Sequence, residues 1–117
     1  MKPVIKIWCL PLDLTQKEYR NVQQTIVKVV ESFKDFKLKG EESMIVLFPQ
    51  DLMEYGLGTE IVIEGTSFPA RGISLATWED IAKALCVAIK RIFSEAHVQS
   101  TVGTTNSTRS SFFISAK

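Results

Sequence analysis

The sequence predicts a two-layer α+β sandwich, in which tandem β-α-β repeats form a four-stranded sheet with two helices on one face. Three observations predict it. Short β-branched and aromatic runs alternate with two long stretches whose apolar residues recur every three or four positions. The order strand, helix, strand occurs twice, with a similar strand-to-helix offset from Pro3 to Thr15 and from Thr59 to Ser74. The length, 117 residues, suits one domain and is too short for two.

Residues 3–10 (PVIKIWCL) are β-branched and aromatic-rich and read as the first strand, which Pro11 and Asp13 end. Thr15 opens a helix. Thr15 and Glu18 have the spacing of a capping box, in which each side chain satisfies an orphan backbone N–H. Tyr19, Val22, Ile26, Val29, Val30 and Phe33 then line one face of that helix. A charged stretch with Gly40 leads to residues 43–48 (SMIVLF), the length of a buried strand, and Pro49 stops it. Residues 50–58 form an excursion punctuated by glycines, and residues 59–65 (TEIVIEG) form the third strand. Ser74 or Thr77 caps the second helix, with apolar positions at Leu75, Trp78, Ile81, Leu85, Ile89, Ile92 and Phe93. A fourth strand falls over residues 97–102. Residues 103–111, rich in Gly, Ser, Thr and Asn, read as a flexible loop before a short closing strand at residues 112–114. The result is one domain over residues 1–117: a first βαβ unit at 3–48, a second at 59–102, and a tail at 103–117. Each unit is expected to be a right-handed crossover.

Composition narrows the functional classes. Hydrophobic residues make up 45% and charged residues 23%, a globular balance. A net charge of +1 lacks the concentrated positive field that nucleic acid or an anionic membrane surface would require. No stretch approaches the ~20 apolar residues of a membrane span, and no signal-peptide pattern is expected at the start. Cys9 and Cys86 lie inside apolar runs and read as free thiols of a reducing, cytoplasmic protein. His97 is the single histidine and reads as a strand-start residue, so no metal site is expected. Gly56-Leu57-Gly58 is followed by no phosphate-loop pattern.

Several stretches carry a resemblance. They are Pro3-Val4-Ile5-Lys6-Ile7, then Phe48-Pro49-Gln50-Asp51-Leu52-Met53-Glu54-Tyr55-Gly56, then residues 60–65 with Arg71 and Ser74 behind them. Lys83-Ala84-Leu85-Cys86 with Lys90-Arg91 completes the set. In this order, the chain resembles the tautomerase superfamily. The resemblance implies a β-α-β-β-α-β subunit and a homotrimer. It implies cofactor-independent proton transfer, a keto–enol tautomerisation or isomerisation, on a small keto acid, enol or unsaturated carboxylate.

The resemblance also implies a catalytic proline at the amino terminus, and the matching residue is Pro3. A free proline is a rigid secondary amine. Partial burial and nearby cations pull its pKa towards neutrality, where an acid–base group works best. Here Met1 and Lys2 precede it. While they stay attached, the Pro3 nitrogen is an amide whose lone pair is delocalised, and it is no base. Pro3 then reads as a strand-start proline. Arg71, just before the second helix, suits a bidentate clamp on a substrate carboxylate, and equally a solvated loop position. Lys39, with Lys37, falls where relatives carry a pocket lysine. Residues 11–14 lack the arginine that dicarboxylate-using relatives hold there.

Three readings stay open: an active tautomerase-like enzyme, a catalytically inactive trimeric binding or scaffold relative, and a ferredoxin-like regulatory domain. The strands are expected to be apolar on both faces, since Ile45 and Leu47 alternate with Met44, Val46 and Phe48, and Ile61 and Ile63 flank Val62. Two helices cover one face, so the other is expected to be sheltered by further copies in a closed ring. Residues 112–114 are expected to pack on a neighbouring subunit.

Overall fold

The computed structural model describes residues 2–49, 60–69 and 71–115. The excursion at residues 50–58, and with it most of the Phe48–Gly56 stretch, lies outside them. The elements are β1 (Val4–Trp8), α1 (Gln16–Ser32), β2 (Ile45–Leu47), β3 (Glu60–Thr66), α2 (Leu75–Ile92), β4 (His97–Thr104) and β5 (Ser107–Ile114). They make an α+β fold of two helices and one mixed sheet of five strands, in the order β2-β1-β3-β4-β5. The expected four strands are thus joined by a fifth. Residues 103–111, expected as a loop, are mostly strand, with Thr105 and Asn106 alone at the turn between β4 and β5.

Pairing alternates in direction. β1 pairs parallel with β2 and antiparallel with β3. β3 pairs parallel with β4, and β4 antiparallel with β5. The parallel pairs need long connections, and α1 and α2 lie in them.

Both helices start where the sequence signals. Thr15 accepts from the Glu18 N–H, and the Glu18 carboxylate accepts from the Thr15 N–H, so both arms of the capping box are present. Those bonds hold the Glu18 carboxyl below the usual carboxylate range. Ser74 caps α2 by accepting from the Thr77 N–H. At the far end of α2, the Lys90 ammonium donates to the carbonyls of Ser94 and Ala96 at 2.7 and 2.6 Å. These bonds satisfy carbonyl groups in the turn beyond the helix end.

The core lies between the helices and one face of the sheet. Ile5 and Ile7, Ile61 and Ile63, and Val98 and Val102 are buried at alternate strand positions. They meet Val22, Ile26 and Val30 of α1 and Ile81, Leu85 and Ile89 of α2. Each such side chain stabilises the fold by roughly 1.5–3 kcal/mol. Ser100 sits among them, fully buried, and its hydroxyl donates to the Ala82 carbonyl. Phe112 and Ile114 pack on this same core, as partners of Ser100 and Val98 across the ladder.

The opposite face is only in part the apolar surface expected: Val4, Trp8 and Val62 lie on it, half-buried, among Lys6, Glu64, Gln99 and Thr101 on β1, β3 and β4. The exposed large apolar residues of the sheet, Ile45 and Leu47 on β2 and Phe113 on β5, lie at its two edges.

Candidate functional site

One end of the sheet gathers the residues that the sequence singles out. Val4 pairs with Ile45 and with Thr66, so β1 and β2 start where β3 finishes. β4, parallel with β3, finishes there too. Pro3 precedes β1 and is buried, and its carbonyl accepts from the Ile45 N–H at 2.9 Å. Its position before the first ladder residue suits a side chain with no N–H to donate. Lys2, joined to it, is exposed.

Arg71 lies in the connection from β3 to α2, and Lys39 in the connection from α1 to β2; both are exposed. Lys39 is followed by Gly40, whose N–H donates to the Glu31 carboxylate. Gly40 has φ +74, a conformation that suits a residue without Cβ. Lys37, at φ 57, ends the short helical turn at Lys34–Phe36 and is exposed. Pro3, Lys39 and Arg71 therefore share an end of the sheet. No hydrogen bond or ion pair joins the three.

An aromatic cluster fills the core at this end. Phe36 is 2% exposed, with its ring centroid 5.1 Å from Phe68 and 5.2 Å from Trp78. Thr77, in the first turn of α2, donates to the Asp35 carboxylate at 3.1 Å, which ties the α1–β2 connection to the start of α2. The Phe68 N–H donates to the Gly103 carbonyl at 3.2 Å, fastening the β3–α2 connection to β4.

A groove of about 240 Å³ opens beside this end, between the finish of β3 and the β4–β5 turn. Glu64, Thr66, Thr101, Thr104, Asn106 and Thr108 line it, so its wall offers hydroxyls, an amide and one carboxylate. None of its lining residues is a cation. A carboxylate substrate seated there would need Arg71 or Lys39 to reach it from the neighbouring connections. Glu64 is committed in part, since it accepts from the Trp8 indole N–H across the β1–β3 ladder. Sequence reasoning missed that pair. The signal was present in the strand period, which puts Lys6, Trp8 and Glu64 on one face once β1 and β3 are neighbours.

The remaining candidates do not form a second centre. Cys86 is buried, its thiol donates to the Val98 carbonyl at 3.1 Å, and burial pushes the thiol up to about 11. That is the profile of an inert core cysteine. Cys9 follows β1, half-buried, at φ 67. His97 starts β4 and stacks on Phe113 with centroids 6.1 Å apart. Among the described residues, no group of His, Cys, Asp and Glu is placed to hold a metal ion. No helix among them is long and apolar enough to cross a membrane.

No protein-family model matches the chain, and no curated protein matches it either.

Proposed function

We propose that this chain is a tautomerase-like subunit, built from tandem β-α-β units and assembling with copies of itself as a homotrimer. Its chemistry is cofactor-independent proton transfer on a small keto acid or enol, at the sheet end shared by Pro3, Arg71 and Lys39. One observation carries the reading. Residues far apart in sequence lie toward the same end of the sheet because β1 and β2 start where β3 and β4 finish. The pairing supports the tandem-unit reading as well, since β1 with β2 and β3 with β4 are parallel pairs separated by a helix, and β1 and β3 meet antiparallel.

In this reading, Pro3 serves as the base once it is the first residue of the chain, taking a proton from the carbon beside the carbonyl and returning it elsewhere. Arg71 and Lys39 hold the substrate carboxylate. A second reading, the same assembly as a binding or scaffold protein without turnover, is favoured by a specific observation: Pro3 is buried, with Lys2 on its nitrogen.

The experiment pairs intact mass with ketonisation of phenylenolpyruvate, for the parent chain and for Pro3→Ala and Arg71→Ala. Loss of Met1 and Lys2 together with turnover that Pro3→Ala abolishes supports the catalytic reading. Retained Met1 and Lys2 with no turnover supports the second. Turnover that survives both substitutions overturns the assignment of this end of the sheet.

A further inference from the structure

We propose that the groove between the finish of β3 and the β4–β5 turn is a binding site for a small, neutral, polyhydroxylated molecule the size of a single sugar ring. The inference goes beyond the reading above. Pro3 keeps step with Ile5 and Ile7, whose side chains face the helices, whereas the groove opens on the other face of the sheet.

An irregularity in the β4–β5 ladder builds the groove. Val102 pairs with Ser110 and Gly103 with Thr108, so Arg109 is left as an extra residue on β5. Val102 faces the core, and Ser110 opposite it does too. In a regular strand Thr108, two positions from Ser110, would face the core as well. The extra residue turns it round: Thr108 lies opposite Gly103, in step with Thr101 on the face without helices. On β3 the same face carries Glu64 and Thr66. Only glycine at 103 lets the turn close in over β4. A Cβ there would lie 2.1 Å from the Ser107 carbonyl oxygen and 2.8 Å from the Thr108 Cα.

The wall selects the occupant. Glu64 is half-buried, and its carboxylate accepts from the Trp8 indole N–H, which fixes its direction. Lys6 lies directly across the ladder, an opposite charge beside it. The carboxylate is thus compensated, and among the described residues no cation lines the groove, so a charged ligand finds no unmatched charge there. The rest of the wall is hydroxyls and the Asn106 amide, groups that both donate and accept. An apolar occupant would strip water from them and return no hydrogen bond. A ring carrying several hydroxyls answers each kind of group. The volume, about 240 Å³, falls below the ~300–1,000 Å³ of sites for drug-sized ligands and suits one ring.

The test titrates the full, isotope-labelled chain with glucose, galactose, mannose and myo-inositol, and follows amide and indole chemical shifts. At least one of these should give saturable shifts confined to residues 64–66 and 101–108 and to the Trp8 indole N–H. Glucosamine and glucuronate, of similar size but charged, should bind no more tightly. Thr108→Val, nearly isosteric at an exposed position, should raise the Kd about fivefold. Glu64→Gln keeps an oxygen for the Trp8 indole and loses the charge, and should raise it about tenfold. The same spectra show whether each variant is folded. Four neutral probes without a saturable shift overturn the proposal, as do shifts that map elsewhere on the chain. Tighter binding of either charged sugar overturns it too, and so does a Kd that both folded variants leave unchanged.

Discussion

Replacing Phe36 with alanine should remove a large part of the stability of the domain. The ring is 2% exposed and meets three others, with centroids 6.5 Å away at Phe33, 5.1 Å at Phe68 and 5.2 Å at Trp78. Truncating a buried phenylalanine costs about 3–5 kcal/mol through lost transfer energy and the cavity left behind. Edge-to-face ring pairs add roughly 0.5–1.5 kcal/mol each beyond the area they bury. Phe36 sits where the α1–β2 connection, the β3–α2 connection and α2 converge, so collapse around the gap is opposed from three sides. The upper half of the range, about 4–5 kcal/mol, is expected. A domain of this size is stable by about 5–15 kcal/mol. At roughly 3–6 °C per kcal/mol, the midpoint of thermal unfolding should fall by about 15–25 °C. Phe36→Leu keeps most of the volume and loses the ring contacts, and should cost about 1–2 kcal/mol. Urea titration followed by tryptophan fluorescence and far-ultraviolet circular dichroism reads both, with a lower midpoint at constant slope. A loss below about 2 kcal/mol for Phe36→Ala, at unchanged slope, would refute the idea that this cluster closes the end of the domain.

Gly103→Ala should destabilise the β4–β5 hairpin, because a Cβ there would lie 2.1 Å from the Ser107 carbonyl oxygen; amide exchange in β5 should rise ahead of global unfolding. Thr15→Ala removes one arm of the capping box and should cost about 1 kcal/mol in urea. The other arm responds to pH. The Glu18 carboxyl is held below its ordinary value by the Thr15 N–H, so its contribution is full above the ordinary carboxylate pKa and fades as the pH falls through the lowered one. Glu18→Gln should flatten that part of the acid profile. Cys86, pushed up to about 11 from 9.0, should resist alkylation at pH 8 while the protein is folded and react on unfolding. Stability should decline above pH 9, where the thiol of the unfolded chain ionises first, and Cys86→Ser should remove that decline.

Much of the fold was legible because local signals agreed with the tertiary outcome. Thr15 with Glu18, and Ser74, begin the helices where their side chains cap them. Ile5 and Ile7, and Ile61 and Ile63, keep the two-residue period of strands with one face in the core. The first half of β5, residues 107–111, was hidden because Ser, Thr and Asn carry turn signals locally, while residues 112–114 read as a strand. Pairing with β4 and the packing of Phe112 and Ile114 outweigh them. Gly103 did carry a clue, since an isolated glycine in a strand marks an irregularity, and the register shifts between Val102 and Gly103. Polar residues on the second sheet face were legible singly, as Lys6, Glu64 and Gln99. Their grouping beside Trp8 and Val62 on β1, β3 and β4 depends on strand order, which periodicity does not contain. Pro3, Lys39 and Arg71 were singled out through the resemblance, and the paths of their connections, which the sequence does not spell out, decide how near they come to one another.

The antiparallel seam between β1 and β3 bears on how the chain comes into being. β1 holds its own half together through β2, yet its other flank is completed only by residues 62–66, made much later. During synthesis the leading portion emerges with one strand unzipped and the inner side of α1 still wet. Half of this molecule in the ribosome's wake is therefore a sticky, waiting fragment. Slow translation across the stretch between β2 and β3 would prolong its exposure, and a supplied copy of the trailing portion would end it.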